Sequence, residues 1–183
     1  MKPKTKLLTF EIACIFWMAM AGSLLHFAFE LTEFWQPMAF LAAVNESAWE
    51  HVKMYFWPGL VFAIVQYTYT RDIANNYWFG KAVGLATMPA VIFISYFGYM
   101  EYISIAGGDP SLGLMIGIML IGIAAGQMTS YFILTMEPLE HTTLRFAGAV
   151  YAVLIMMFST FTYFPPKVAV FEHFYCYQYT GEY

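Results

Sequence analysis

Long apolar stretches constrain what this chain can fold into more than any other feature of its sequence. Residues 112–136 contain no Asp, Glu, Lys or Arg, and about 20 mostly apolar residues are enough for a helix to cross a bilayer. Only 11% of the chain is charged, whereas soluble domains carry about 25%. The sequence therefore predicts an integral membrane protein.

The apolar stretches predict an all-α, polytopic fold with about five transmembrane helices. Their continuous character argues against a membrane β-barrel, whose strands alternate apolar and polar residues. We expect one domain over residues 1–183, with spans near 7–29, 48–70, 81–101, 111–136 and 145–164. Glu11 interrupts the first stretch, which continues to residue 29, so we interpret it as an uncleaved helix rather than a signal peptide.

The basic residues predict the orientation, because Lys and Arg are enriched in cytoplasmic loops. An inside N-terminus places six of the eight cations on the cytoplasmic side: Lys2, Lys4, Lys6, Arg71, Lys81 and Arg145. Lys53 and Lys167 fall outside, as does the tail at 165–183. We therefore expect a multi-pass protein of the cytoplasmic membrane with an outer C-terminus. The apolar spans predict the lipid bilayer as its partner, and a net charge of −4 gives no basic surface for nucleic acid.

Small residues at a spacing of four predict close helix packing. They form four motifs: Gly80-xxx-Gly84, Gly113-xxx-Gly117, Gly122-xxx-Gly126-xxx-Ser130 and Gly148-xxx-Ala152.

The first polar segment is the outer end of the first predicted helix. His26 and Glu30 are four residues apart, so both project from one helical face, and Glu33 continues that stripe. A His and a carboxylate so placed could ligate one metal ion, or the carboxylate could orient the imidazole as a general base. The alternative is a His–Glu hydrogen bond at the membrane interface.

The second polar segment, residues 45–53, is the densest in the chain. Ser47 and Glu50 have the spacing of a capping box, in which the Ser hydroxyl caps the first turn and the Glu reaches back. Capping leaves Glu46, His51 and Lys53 unexplained. We predict that Glu46, Glu50 and Lys53 are catalytic, and that Asn45, Ser47 and Trp49 support them.

Residues 34–44 precede that segment and are too short to cross a bilayer. We expect an interfacial or re-entrant segment that presses residues 45–53 toward His26 and Glu30. The predicted metal ligands are then His26, Glu30 and His51, for a divalent ion such as zinc. In the outer tail, Glu172 and His173 would fold over this site as a lid.

Three strings resemble an uncharacterised prokaryotic family of small polytopic membrane proteins, classed as a domain of unknown function. They are Leu25-His-Phe-Ala-Phe-Glu30, Val44-Asn-Glu-Ser-Ala-Trp-Glu-His-Val-Lys53 followed by Phe56-Trp-Pro58, and Phe164-Pro-Pro166. The resemblance spans almost the whole chain, and its Asn-Glu-Ser-x-Trp-Glu-His-x-Lys string is specific. It implies a membrane fold of this size and supplies no activity or cofactor.

Three functions are compatible with an outward-facing Glu/His site. The first is a metal-assisted enzyme that acts on a lipid or amphiphile. The second is a proton- or cation-coupled carrier or channel component, for which five helices would require a homo-oligomer or a partner subunit. The third is a non-catalytic accessory membrane subunit, so the sequence leaves open whether this protein is an enzyme.

Overall fold

The computed structural model describes residues 2–172 and is all-helical, as predicted, with no strand among these residues. Five long helices follow one another along the chain: α1 (Pro3–Leu31), α2 (Ala48–Thr70), α3 (Tyr77–Ala106), α4 (Leu112–Thr135) and α5 (Thr142–Thr160). Two short 3₁₀ turns, Gln36–Phe40 and Ala169–Phe171, flank the polar end of the bundle. The all-α prediction is confirmed.

Four of the five long helices, α1, α3, α4 and α5, are long and apolar enough to cross a membrane. The remaining helix, α2, begins with the polar segment that contains Glu50 and Lys53, and most of its length packs inside the bundle. Its position therefore depends on its neighbours more than on contact with lipid. These helices define a multi-pass membrane protein, and its orientation stays a prediction.

Two of the cations used to predict that orientation are buried side chains. Lys53 and Lys81 are 0% and 3% exposed, so neither is a loop charge. Without them, the predicted cytoplasmic side keeps five cations and the outer side one. The excess of Lys and Arg therefore remains on the predicted cytoplasmic side, as the orientation requires.

Helices α3 and α4 pack closely because glycines face each other across their interface. A Cβ atom added at Gly84 would lie 2.6 Å from the carbonyl oxygen of Gly126, and one at Gly126 would lie 2.6 Å from that of Gly84. The motifs at Gly80–Gly84 and Gly122–Ser130 thus form the packing surfaces that their spacing predicts. At Gly117 and Gly148 an added Cβ would meet no described atom within 4 Å.

An aromatic stack fixes the polar end of α2 against α5. The Trp49 ring lies 4.6 Å from Phe158 and 4.9 Å from Phe171, measured between centroids. Phe158 also stacks on Phe56 at 4.5 Å. Offset aromatic pairs add stabilisation beyond their buried area. Trp49 therefore holds the start of α2 in place, and its side chain is buried in the core.

The segment after α1 folds back over the end of that helix. Glu33 and Phe34 adopt left-handed backbone conformations, with φ of 54° and 61°, which reverse the chain direction. Beyond the 3₁₀ turn, Ala42 and Val44 are buried against Phe29 of α1. Residues 45–47 are consequently returned to the side of α1 that carries His26.

We predict that Gly84→Ala destabilises the protein and that Gly117→Ala does not. The added methyl group at position 84 meets the backbone of Gly126 at 2.6 Å, and backbone cannot move aside without separating α3 from α4. Thermal unfolding in detergent should show a lower midpoint for the Gly84 variant only. Gly117 is the matched control, because it too is a helical glycine, in α4 rather than α3, and its new Cβ meets no described atom within 4 Å. Equal midpoints for the two variants would contradict the proposed interface.

Candidate functional site

Local hydrogen bonds build the polar start of α2. Ser47 is the N-cap, and its hydroxyl accepts a hydrogen bond from the Glu50 amide at 3.3 Å. The Asn45 side-chain oxygen accepts from the Ser47 amide at 3.0 Å, and the Glu50 carboxylate reaches past the cap to accept from the Val44 amide at 3.1 Å. The predicted capping box is therefore half formed: Asn45 takes the place that the box gives to Glu50.

Three side chains converge where residues 45–51 meet α1. The potential ligand atoms of His26, Glu46 and His51 all lie within 4.8 Å of one another. One Glu46 oxygen is 3.7 Å from His26 Nε2, and the other is 3.3 Å from His51 Nε2. The three side chains are partly exposed. We call this group the His–Glu centre.

The two imidazoles of the His–Glu centre are oriented differently. His51 Nδ1 lies 2.8 Å from the Ser47 carbonyl oxygen, so Nδ1 must carry the proton and donate it. Nε2 faces a Glu46 oxygen at 3.3 Å: a protonated ring would donate a second hydrogen bond there, whereas a neutral ring would offer its lone pair. His26 Nδ1 is buried and has no hydrogen-bond partner among the described residues, so no such contact fixes the tautomer of His26.

Glu50 and Lys53 form a separate buried group beside the His–Glu centre, which we call the Glu50–Lys53 network. They make an ion pair, with the two side chains 2% and 0% exposed. The Lys53 ammonium also donates to the Ala39 carbonyl at 2.7 Å and to the Thr162 hydroxyl at 2.8 Å. The Thr162 hydroxyl donates in turn to Glu50 at 2.8 Å. The network thus connects α2, the 3₁₀ turn and the residues that follow α5.

The structure places the predicted site residues in three different surroundings. His26 and His51 meet as expected, and Glu46 joins them. Glu30 is exposed near the end of α1 and lies outside this group. Glu50 and Lys53 form an ion pair with each other and make the hydrogen bonds described above. The catalytic and metal-binding roles of all these residues stay predictions.

The predicted lid falls partly outside the described residues. Glu172 lines a cavity together with Asn45, Ser47 and Glu50, so the tail up to residue 172 lies at the polar end of the bundle. His173 lies outside the described part of the chain.

A second buried charged group was missed by the sequence reasoning. Glu11 of α1 and Lys81 of α3 are joined by contacts of 2.6 and 2.7 Å, and the Gln66 amide of α2 donates to Glu11 at 2.8 Å. All three side chains are buried. The available signal was Glu11 itself, because an ionisable residue within an apolar span usually has a partner inside the bundle.

Apolar packing separates the two polar groups. Glu11 and His26 are both on α1, about 22 Å apart along the axis at a rise of about 1.5 Å per residue. The buried residues of α1 between them are Cys14, Met18 and Gly22. Along α1, buried side chains without charge therefore lie between the polar end and the Glu11–Lys81 pair.

These features define a polytopic, all-α membrane protein with a His–Glu centre at one end and a buried ion pair far from it. A family model described as "Family of unknown function (DUF6512)" matches residues 1–183, and the chain belongs to this family. The predicted membership of an uncharacterised family is thereby confirmed. No curated protein and no solved structure matches the chain.

We predict that Glu11→Gln and Lys81→Met are each more destabilising than the double variant. A single change leaves one uncompensated buried charge, which costs about 3–5 kcal/mol, whereas replacing both partners removes the charge. Unfolding of the purified variants in detergent would give the coupling energy of the pair. Asp72→Asn is the control, because the Arg71–Asp72 pair is exposed and such pairs contribute little. Additive effects of the two single changes would contradict this prediction.

Proposed function

We propose that the His–Glu centre binds a divalent metal ion, most simply zinc, and that the ion activates water for hydrolysis of a lipid or amphiphile. The observation that supports this most directly is the convergence of His26, Glu46 and His51, whose potential ligand atoms lie within 4.8 Å of one another. Residues from two separate parts of the chain supply these atoms.

The donor set and its spacing fit such an ion. Two histidines and one glutamate are the protein ligands of a known class of catalytic zinc sites, with bonds of about 2.0–2.2 Å. Tetrahedral geometry at those bond lengths separates neighbouring ligand atoms by about 3.4 Å. The contacts of 3.7 Å to His26 and 3.3 Å to His51 are made by different Glu46 oxygens, and with one atom per residue the three ligand atoms lie within 4.8 Å of one another. Small side-chain rotations would bring them to the tetrahedral separation around an ion.

The orientation of His51 also supports metal binding. Metal-ligating histidines almost always donate their other ring N–H to a carboxylate, a backbone carbonyl or water. His51 does so to the Ser47 carbonyl at 2.8 Å, which directs Nε2 toward Glu46, where both groups could bind one ion. A simple His–Glu hydrogen bond would not require this second contact.

Three protein ligands leave one coordination position open, which distinguishes catalytic from structural zinc sites. A bound ion would lower the pKa of its water and so supply a nucleophile at neutral pH. In this proposal Glu46 is a ligand, while Glu50 and Lys53 hold the start of α2 in position. Their mutual ion pair leaves neither of them available to take a proton from water.

The partial exposure of the His–Glu centre favours a substrate that approaches from the membrane surface. His26 is in the last turns of a spanning helix, which places the centre near one bilayer interface. With the predicted orientation, this is the outer leaflet. A lipid or other amphiphile could present its polar group there while its tail remains in the bilayer.

A proton- or cation-coupled carrier is the second candidate, and the buried Glu11–Lys81 pair favours it. Ionisable groups at membrane depth often mark ion pathways. Against a continuous path, the apolar residues Met18 and Phe56 are fully buried and lie on α1 and α2 between the two polar groups. Surface chemistry therefore accounts better for the His–Glu centre.

We predict that the purified protein binds about one zinc ion per chain and that His51→Ala or Glu46→Gln abolishes this binding. Each change removes one of three ligands, and two remaining ligands hold zinc weakly. Metal content after dialysis, with calorimetric titration of the metal-free protein, would measure the effect.

Glu30→Gln is the matched control for this experiment. Glu30 is on the same helical face as His26 but is exposed and outside the His–Glu centre, so we expect its variant to keep full zinc content. If the unaltered protein bound no metal, or bound it equally well without His51 and Glu46, the metal proposal would be wrong.

A further inference from the structure

A cavity of about 650 Å³ lies between the start of α2 and the residues that follow α5. Such a volume is within the range of about 300–1,000 Å³ that is usual for ligand sites. Its lining includes Asn45, Ser47, Lys167 and Glu172 on the polar side, and Phe161 and Phe171 on the apolar side. The residues of the His–Glu centre do not line it, so it is a separate space that Asn45 and Ser47 border.

Two buried side chains offer unused hydrogen-bond donors to this cavity. Asn45 and Ser47 are 8% and 1% exposed. The oxygen of the Asn45 amide accepts from the Ser47 backbone and the Ser47 hydroxyl oxygen accepts from Glu50. Among the described residues, neither the Asn45 NH₂ nor the Ser47 hydroxyl hydrogen has an acceptor. Both residues line the cavity, so these donors are available to a ligand there.

The charges around the cavity indicate which ligand would use those donors. The Glu50 carboxylate is neutralised by Lys53 within the buried network, and the first turn of α2 favours an anion. Lys167 and Glu172 are exposed and supply one charge of each sign. A ligand with both a phosphate and an ammonium group would match this arrangement, whereas a purely anionic ligand would be repelled by Glu172.

We propose that this cavity binds the headgroup of a zwitterionic phospholipid. The phosphate oxygens accept hydrogen bonds from Asn45, Ser47 and Lys167, and the ammonium group lies near Glu172. Phe161 and Phe171 contact the apolar part of the lipid next to the headgroup. Since α5 ends at Thr160, these residues follow a membrane-spanning helix, where headgroups are found.

The test is titration of the full-length purified protein with phosphatidylethanolamine in detergent, followed by native mass spectrometry. We expect saturable binding of one lipid to the unaltered protein. Binding should be about tenfold weaker in Asn45→Asp and in Lys167→Gln, because each variant loses one group that donates a hydrogen bond to the charged phosphate. Asp at position 45 keeps the oxygen that accepts from Ser47. Lys167 is exposed, so its variant tests the site without altering the core. Lys4→Gln, which removes an exposed lysine outside the cavity, should bind like the unaltered protein.

Two further ligands identify the source of the phosphate. Phosphatidylglycerol should bind about tenfold more weakly, because it lacks the ammonium group. Millimolar inorganic phosphate should not displace the bound lipid; displacement would overturn the lipid assignment in favour of free phosphate. Lipid binding that does not saturate, or that neither variant weakens, would overturn the site itself.

This inference does not depend on metal binding at the His–Glu centre. His26→Ala removes a proposed metal ligand that does not line the cavity, so we expect it to lose zinc and to keep its lipid affinity. A protein without metal that still binds phosphatidylethanolamine would refute only the metal proposal. Zinc binding without saturable lipid binding would refute only the lipid site.

Discussion

The cost of burying an ammonium group governs the polar end of this protein. Lys53 is fully buried, and its charge is tolerated because Glu50, the Ala39 carbonyl and the Thr162 hydroxyl all surround it. These partners come from α2, the 3₁₀ turn and the chain beyond α5. Satisfying one charge therefore determines how three parts of the chain meet. The segment that this network holds supplies Glu46 to the His–Glu centre and Asn45 and Ser47 to the cavity.

The bundle keeps its two sets of charges apart. Glu11 and Lys81 neutralise each other among α1, α2 and α3, about 22 Å along α1 from His26. Between them, the helices are joined by apolar side chains and, in α3 and α4, by direct contact of glycine backbones. A tightly packed layer of this kind supports the rigid placement of a surface site better than a continuous ion path.

Particular residues show how far sequence reasoning reached. His26 and His51 were predicted to share a site because the short segment between their helices had to fold back, and the geometry brings them together. The sequence predicts Glu30 as the carboxylate ligand beside His26, because spacing along one helix can be read from sequence. Glu46 lies before α2 begins, and helical spacing does not predict where the side chain of a loop residue points. The sequence likewise predicts a loop position for Lys81, because its partner, Glu11, is seventy residues away in the chain.

The sequence alone determined that this chain is an all-α membrane protein with its polar chemistry at the ends of a few helices. Apolar length and scarcity of charge are local properties, and the bilayer permits few structures that satisfy them. Only the tertiary structure decided which charges pair, which carboxylate meets the two histidines and where a cavity remains. Those outcomes depend on contacts between residues far apart in the chain, and buried charges accept only the partners that the packed helices bring within reach.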